Sequence, residues 1–320
     1  MPSLSISEVQ YYEGVQARQG LLVDDALPLE FGKKRKRSRK RERTPESVQI
    51  EVSPPPGVPE KYWNQRFGLF SRFNEGIRLD TESWFSVTPE LIAIHIAHRV
   101  AKYARQTIVE GVSTESEEKD SKMLVLDCFC GVGGNAIQMA QFPGLRVLAV
   151  DIDPEKVAMA RHNASIYGVA DRVTFLVADS IALLAALGSL KNALVFLSPP
   201  WGGPGYLSLH DTGFRLQDIQ VRSSVRTDDN GDSICVNGAD LLRLARAVTQ
   251  NVVYFLPRNI STDNLALSDS NVEVEGNVVN NKLKTKTVYY GGIAKLEQTL
   301  KDDGEVEVGP RSTSLVEERT

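Results

Sequence analysis

Between Lys122 and Tyr290, short apolar runs alternate with helical segments, and this rhythm restricts the fold more than any other feature of the chain. Met123 to Asp127, Arg146 to Asp151, Val173 to Val177, Ala193 to Leu197 and Asn251 to Leu256 read as buried strands. Ala136 to Phe142 starts a helix. Asp153-Pro154-Glu155 caps another that runs through Ala160 to Tyr167 and stops at Gly168. Ile181 to Leu187 and Ala239 to Thr249 are also helical, and Val272 to Val279 with Thr285 to Tyr290 looks like a closing β pair. Repeated β-α order with short turns implies an α/β fold with a doubly wound, mostly parallel, Rossmann-like sheet.

Ligands of such sheets bind beyond the carboxyl ends of the strands, near the point where strand order reverses. Four chemical elements fall at strand ends here: Asp127 with the glycines after it, Asp151, Asp179, and the run Ser198 to Pro204. The turn Cys128 to Asn135 lets backbone approach a ligand closely. It departs from the Gly-x-Gly-x-x-Gly pattern that cradles a pyrophosphate, because an acid leads in. Asp127 would repel an anion and attract an ammonium or sulfonium end. Asp151, 24 residues on, is placed to accept from ribose hydroxyls, and Asp179 from an adenine amine. Taken singly, each aspartate is equally a helix cap. Together they point to an adenosine cofactor.

Ser198-Pro199-Pro200-Trp201 follows the fourth strand. Two prolines fix φ and remove two donors, leaving a stiff lip. The Ser198 hydroxyl and carbonyl and the Trp201 ring are placed to grip a planar group bearing an exocyclic amine. A Pro-rich turn is the plainer alternative.

Ahead of the sheet, residues 1–57 read as an unstructured tail ending in the stiff linker Ser53-Pro54-Pro55-Pro56-Gly57. Within it, residues 33–43 hold nine basic residues and one acid, a local charge of +8 against −4 for the whole chain. Such a block suits a nuclear address or a nucleic-acid arm. Lys61 to Asp80 is rich in aromatics and Arg, with Tyr62, Trp63, Phe67, Phe70 and Phe73 at roughly helical steps. Thr88 (N-cap), Pro89 and Glu90 then open a helix striped by Ile92, Ile96, Val100 and Tyr103, and Gly111 to Ser121 is an acidic surface loop. Three cysteines give neither a disulfide set nor zinc spacing, and no metal site is expected. There is no apolar signal segment and no run long enough to cross a membrane. The four histidines are weak catalytic candidates.

Asp127 to Gly134, Asp151-Ile152-Asp153 and Ala178-Asp179 resemble class I S-adenosylmethionine methyltransferases. Lys61-Tyr62-Trp63, Leu69 to Phe73, Trp84 to Glu90, Phe129 to Asn135, Ser198 to Pro204 and Tyr254 to Asn259 resemble the trimethylguanosine synthase family of RNA cap guanosine-N2 methyltransferases, over about residues 60–292. The resemblance implies a seven-stranded methyltransferase domain at 89–298 and a small helical extension over the cofactor and cap site at 58–88, with flexible tails at 1–57 and 299–320. It implies S-adenosyl-L-methionine as cofactor, bound by Phe70, Ser86, Thr88, Asp127, Cys130, Gly131, Asp151, Ile152, Asp179 and Ser180. It puts Ser198 and Pro199 at the target amine. Trp201 and Asn163 take the two faces of the methylated base, Pro200 borders it, and Lys61, Tyr206 and Arg258 meet the cap phosphates. The implied partner is capped small nuclear or nucleolar RNA, with ribonucleoprotein core proteins engaging the tails. The implied enzyme is a nuclear, membrane-free monomer. The chain departs from the family pattern after Tyr206, where Leu207 to Ser233 is long and polar.

Two other readings fit parts of the chain. The lip alone permits an amino-group methyltransferase acting on adenine or on protein glutamine. A non-catalytic cap-binding scaffold is the other, and the full cofactor constellation argues against it.

Overall fold

The computed structural model describes residues 5–11, 53–111, 122–202, 213–227, 231–263, 265 and 271–295, with backbone alone at 5–11, 109–111 and 226–227. The basic run 33–43, Tyr206 and the tail 299–320 lie outside these residues.

Ten strands and eight α-helices are described. The strands are β1 (Ser5–Tyr11), β2 (Met123–Asp127), β3 (Leu145–Asp151), β4 (Val173–Val177), β5 (Ala193–Leu197), β6 (Gln220–Thr227), β7 (Ser233–Asn237), β8 (Val252–Pro257), β9 (Val272–Val279) and β10 (Lys282–Tyr290). The helices are α1 (Glu60–Trp63), α2 (Arg66–Leu69), α3 (Ser83–Ser86), α4 (Glu90–Gly111), α5 (Gly134–Met139), α6 (Pro154–Ile166), α7 (Ser180–Ala186) and α8 (Gly238–Val248).

The main sheet has the order β1-β9-β10-β8-β5-β2-β3-β4. Seven of its strands lie between residues 123 and 290 and form the expected doubly wound sheet. Strands β4, β3, β2, β5 and β8 are parallel, and β10 runs antiparallel between β8 and β9. Order reverses between β2 and β5, so the carboxyl ends of these two strands frame the crevice that such sheets use. Strands β5 and β8 are buried along their whole length, which explains their unbroken apolar character. One apolar cluster joins α4, α5, α6 and the N-terminal aromatics to one sheet face, and a second joins α7 and α8 to the other.

Local chemistry accounts for the boundaries. Asp153 Oδ1 accepts from the amides of Glu155 (2.8 Å) and Lys156 (3.3 Å), and Pro154 occupies the first turn of α6. Asn280 and Asn281 take positive φ (51° and 60°) and close the β9–β10 hairpin in two residues. Helix α4 begins at Glu90, and Thr88 Oγ1, expected as its cap, accepts from Asn135 Nδ2 at 2.9 Å instead.

Three features depart from the sequence reading. Residues 1–57, read as unstructured, contribute β1, which pairs in parallel with β9. Such pairing uses backbone groups, so it leaves little trace in side-chain alternation. The stretch 207–233, read as a long polar loop, supplies β6 and the first residue of β7, an antiparallel hairpin. Finally, β9 buries Glu273, Glu275 and Asn277. Arg99 of α4 donates to Glu273 Oε1 (2.9 Å), to its Oε2, to Glu275 Oε2 (3.2 Å) and to the Ile293 carbonyl (3.2 Å). Its guanidinium lies 3.8 Å from the Tyr289 ring centroid. Burial penalises its charge, but the carboxylates outweigh that and raise its pKa. The buried side of α4 is therefore apolar except for Glu90 and Arg99.

Candidate active site

The turn from Cys128 to Gly133 ties the strand ends together. The Cys130 amide donates to the Val150 carbonyl at 2.9 Å, and the Gly131 amide donates to Asp151 Oδ2 at 2.8 Å. Ser198 Oγ donates to the Phe129 carbonyl at 3.1 Å, and Ser180 Oγ donates to the Cys128 carbonyl. Strands β3 and β5 and helix α7 are thus each bonded to one short stretch of backbone. Gly133 sits at φ 96°, where an added Cβ would come within 3.2 Å of Ala160 Cβ, so glycine is needed there.

Asp127 is fully buried, and among the described residues neither carboxyl oxygen has a partner at hydrogen-bond geometry. Burial pushes its pKa up to about 7; the nearby Asp151 charge adds to this, and the Phe129 and Ala136 amides oppose it. An unpartnered buried carboxyl of this kind is suited to receive a cationic group. Asp151 is half-buried, and its second oxygen accepts from the Asp153 amide at 3.0 Å. Ile152 beside it is 48% exposed, an apolar platform at the strand end.

Asp179 is more committed than the sequence suggests. Its Oδ1 accepts from the Ala182 amide (2.9 Å), and its Oδ2 accepts from Ser223 Oγ (2.7 Å) and the Ser224 amide (2.6 Å). Burial works to raise its pKa, but these donors outweigh it and hold the carboxyl below its ordinary value.

Pro199 is buried, Pro200 exposed and Trp201 half-buried, with the indole tilted 35° on Phe255 of β8 at 5.6 Å between centroids. Because Ser198 spends its proton on Phe129, its oxygen is left to accept from a ligand. Arg258 follows β8 and is exposed. Lys61 is exposed on α1, its Nζ 4.7 Å from the Tyr62 ring centroid. The N-terminal segment reaches the turn through Val87 and Thr88, both next to Gly134.

Two expected ligand residues are structural. Asn163 is fully buried and uses its whole amide. Its Oδ1 accepts from the Arg78 amide (2.8 Å), and its Nδ2 donates to the Arg78 and Val132 carbonyls (3.0 Å each). It pins the N-terminal lobe to the turn and presents no face for stacking. Phe70 is 1% exposed and packs against Tyr167, inside the core rather than on a ligand surface. Ser86 is exposed, its hydroxyl bonded to the Glu82 carbonyl at 3.1 Å.

Glu90, read only as a first-turn acid, is a buried hub. It accepts from the Ser71 amide (2.6 Å), Tyr167 Oη (2.7 Å) and Gln138 Nε2 (3.1 Å). Only its distance from those partners in sequence hid this role. Burial raises the pKa of both Cys128 and Cys130, so neither thiol is poised as a nucleophile. His162 contacts the Gly76 carbonyl at 2.8 Å, and burial lowers the pKa of His98. Among the described residues there is no cluster fit to hold a metal ion, and no helix is long and apolar enough to cross a membrane.

Residues 122–298, more than half of the chain, match the family described as RNA cap guanine-N2 methyltransferase. The chain belongs to this family. The trimethylguanosine synthase of Schizosaccharomyces pombe is 39% identical over 220 residues, which are 68% of this chain and 78% of the relative. That of Saccharomyces cerevisiae is 34% identical over 229 residues, 69% of this chain and 62% of the relative, so the chain spans less than two thirds of the latter's length. A release factor glutamine methyltransferase of Moorella thermoacetica is 32% identical over 118 residues, 37% of this chain. The cap guanine-N2 family match takes in all four strand ends of the site, the lip and Arg258.

Proposed function

We propose that the chain transfers methyl groups from S-adenosyl-L-methionine to the exocyclic 2-amino group of a 7-methylguanosine RNA cap, giving the 2,2,7-trimethyl form. The observation that carries this reading is the Ser198-Pro199-Pro200-Trp201 lip, bonded through Ser198 to the same turn that leads out of the unpartnered acid Asp127.

The cofactor supplies an electrophilic methyl on a sulfonium. The residues present fit it. Asp127 is suited to its cationic amino acid end, Asp151 to ribose hydroxyls and Ile152 to the face of its base. A 7-methylated guanine carries positive charge, and stacking on the Trp201 indole adds about 0.5–2 kcal/mol that an unmethylated guanine lacks. Lys61 and Arg258 are suited to charge-assisted bonds with the cap phosphates. Ser198 Oγ accepts from the amine and favours its pyramidal, nucleophilic form. Among the described residues no strong base adjoins the lip, so rate comes chiefly from holding the amine in line with the methyl. The proton leaves to water after transfer.

Incubation with S-adenosylmethionine and either a methylated cap dinucleotide or an uncapped adenine-containing RNA tests this reading against the adenine alternative. Transfer to the cap alone supports it, and transfer to the RNA alone sinks it. We also propose that residues 33–43 direct the protein to the nucleus, where capped small RNAs are its partners. Unchanged nuclear accumulation after deletion of that run would reject the address.

A further inference from the structure

Strand β6 lies in the stretch 207–233 that was read as a long polar loop, and the reaction scheme gives its hairpin with β7 no task. Ser223 on β6 is fully buried, and its hydroxyl and the Ser224 amide converge on Asp179 Oδ2 at 2.7 and 2.6 Å. The Ser224 hydroxyl lies 3.4 Å from the same oxygen. The other oxygen of Asp179 caps α7 through Ala182. One carboxylate thus joins the end of β4, the start of α7 and the hairpin.

The hairpin root has its own attachments. The Gly238 amide donates to the Ile219 carbonyl at 3.0 Å, and Gln220 pairs with Asn237. Further out, the pairing register shifts between Arg222 and Thr227; Val221 and Ser223 are buried, whereas Val225 is 67% exposed. Ser223 is therefore the last buried residue among the described side chains of β6, at the point where its regular pairing with β7 breaks. The same chain segment leads back from the hairpin to the Trp201 lip.

We propose that Ser223 is a positioning residue that latches the hairpin to Asp179, so that cofactor binding beside β4 and ordering of the hairpin form one coupled equilibrium. This rests on the adenosine cofactor reading above. A ligand that steadies Asp179 steadies the hairpin, and by reciprocity a held hairpin favours the ligand. Loss of the Ser223 hydroxyl leaves that oxygen of Asp179 with the Ser224 donors and so weakens the hold on β6 beyond Val221.

The test is hydrogen exchange on the full chain with and without S-adenosylhomocysteine, beside calorimetric affinity for the same compound. In the wild type the ligand should slow exchange across Val221 to Val225. Ser223→Ala should exchange faster there without ligand, lose the ligand-dependent slowing, and bind about tenfold more weakly, as expected for one lost bond to a charged group. Ser223→Thr, which keeps the hydroxyl, should retain the slowing. Exchange elsewhere in the sheet controls for folding of each variant. Tight binding with the same hairpin response in Ser223→Ala as in wild type overturns the coupling alone. Failure of the wild type to bind overturns the cofactor reading and the coupling with it.

Discussion

The Gly131 amide donates to Asp151 Oδ2 at 2.8 Å, so the acid that ends β3 also holds the turn that follows β2. Asp151→Ala should therefore do two things. It should weaken S-adenosylhomocysteine binding, and it should cost about 1–3 kcal/mol of stability because a charged bond to the turn is lost. Asp151→Asn keeps an acceptor and should recover much of the stability but less of the affinity. Calorimetry and denaturant unfolding measure the two separately. A fall in cap affinity alone would contradict the ribose role.

Asp127 links pH to both folding and binding. Its pKa is pushed up to about 7 from the usual 3.8 by burial. Between about pH 4 and 7 the unfolded chain gives up this proton while the folded chain keeps it, so this group makes stability fall as pH rises through that window. Asp127→Asn should raise the unfolding midpoint at pH 8, and the gain should shrink toward pH 4. A cation delivered by the ligand reverses the preference and ionises the carboxyl. Binding of S-adenosylhomocysteine at pH 6 should then release a proton, and at pH 9 none from this group. Calorimetry in buffers of different ionisation enthalpy reads this directly; buffer-independent heats at pH 6 would argue against an Asp127–ammonium contact.

Asn163 separates a structural from a stacking role. Asn163→Asp keeps an acceptor for the Arg78 amide but loses both donated bonds, to Arg78 and Val132. It should destabilise the protein by roughly 2–4 kcal/mol through buried carbonyls left unpaired. Where folded protein remains, its affinity for a methylated cap should stay near wild type. A selective loss of cap affinity at full stability would restore the stacking role.

Trp201→Ala should cost roughly 2 kcal/mol of stability, because the ring packs on Phe255, as well as cap affinity. The diagnostic quantity is the preference for a 7-methylated over an unmethylated cap. Loss of the cation–π contact should reduce it by roughly 2- to 30-fold. An unchanged preference would mean that another group reads the methylation.

Arg99→Met should be among the most damaging substitutions. It strands the buried Glu273 and leaves Glu275 with only Tyr289 Oη (3.3 Å) and His95 Nε2 (3.0 Å) as partners, at a cost of about 3–5 kcal/mol. Coupled replacement with Glu273→Gln and Glu275→Gln should recover part of the loss, which unfolding measurements on the single and triple variants would show.

What could be read from sequence had local causes. The caps at Asp153, the glycine stop at Gly168 and the buried runs of β5 and β8 follow from neighbouring residues, and all appear where expected. Four strand-end elements were legible because the fold class places ligands there. What escaped reading depends on long-range partners. Glu90 meets Ser71, Gln138 and Tyr167, and Asp179 meets a hairpin more than 40 residues away. Arg99 finds its carboxylates across more than 170 residues. Asn163 was assigned to the base through the family resemblance alone, and a polar residue on a helix gives no sign of whether its amide is already satisfied.

In the proposed reaction the lip and its acids methylate the 2-amino group of a guanine already methylated at position 7. The direct measurement supplies S-adenosylmethionine with two RNAs that differ only in that prior methyl, then digests each and identifies the cap nucleoside by mass spectrometry. The expected result is 2-amino methylation of the 7-methylated cap, with the unmethylated cap left nearly untouched. Equal modification of both caps, or methyl groups found elsewhere in the RNA, would contradict it.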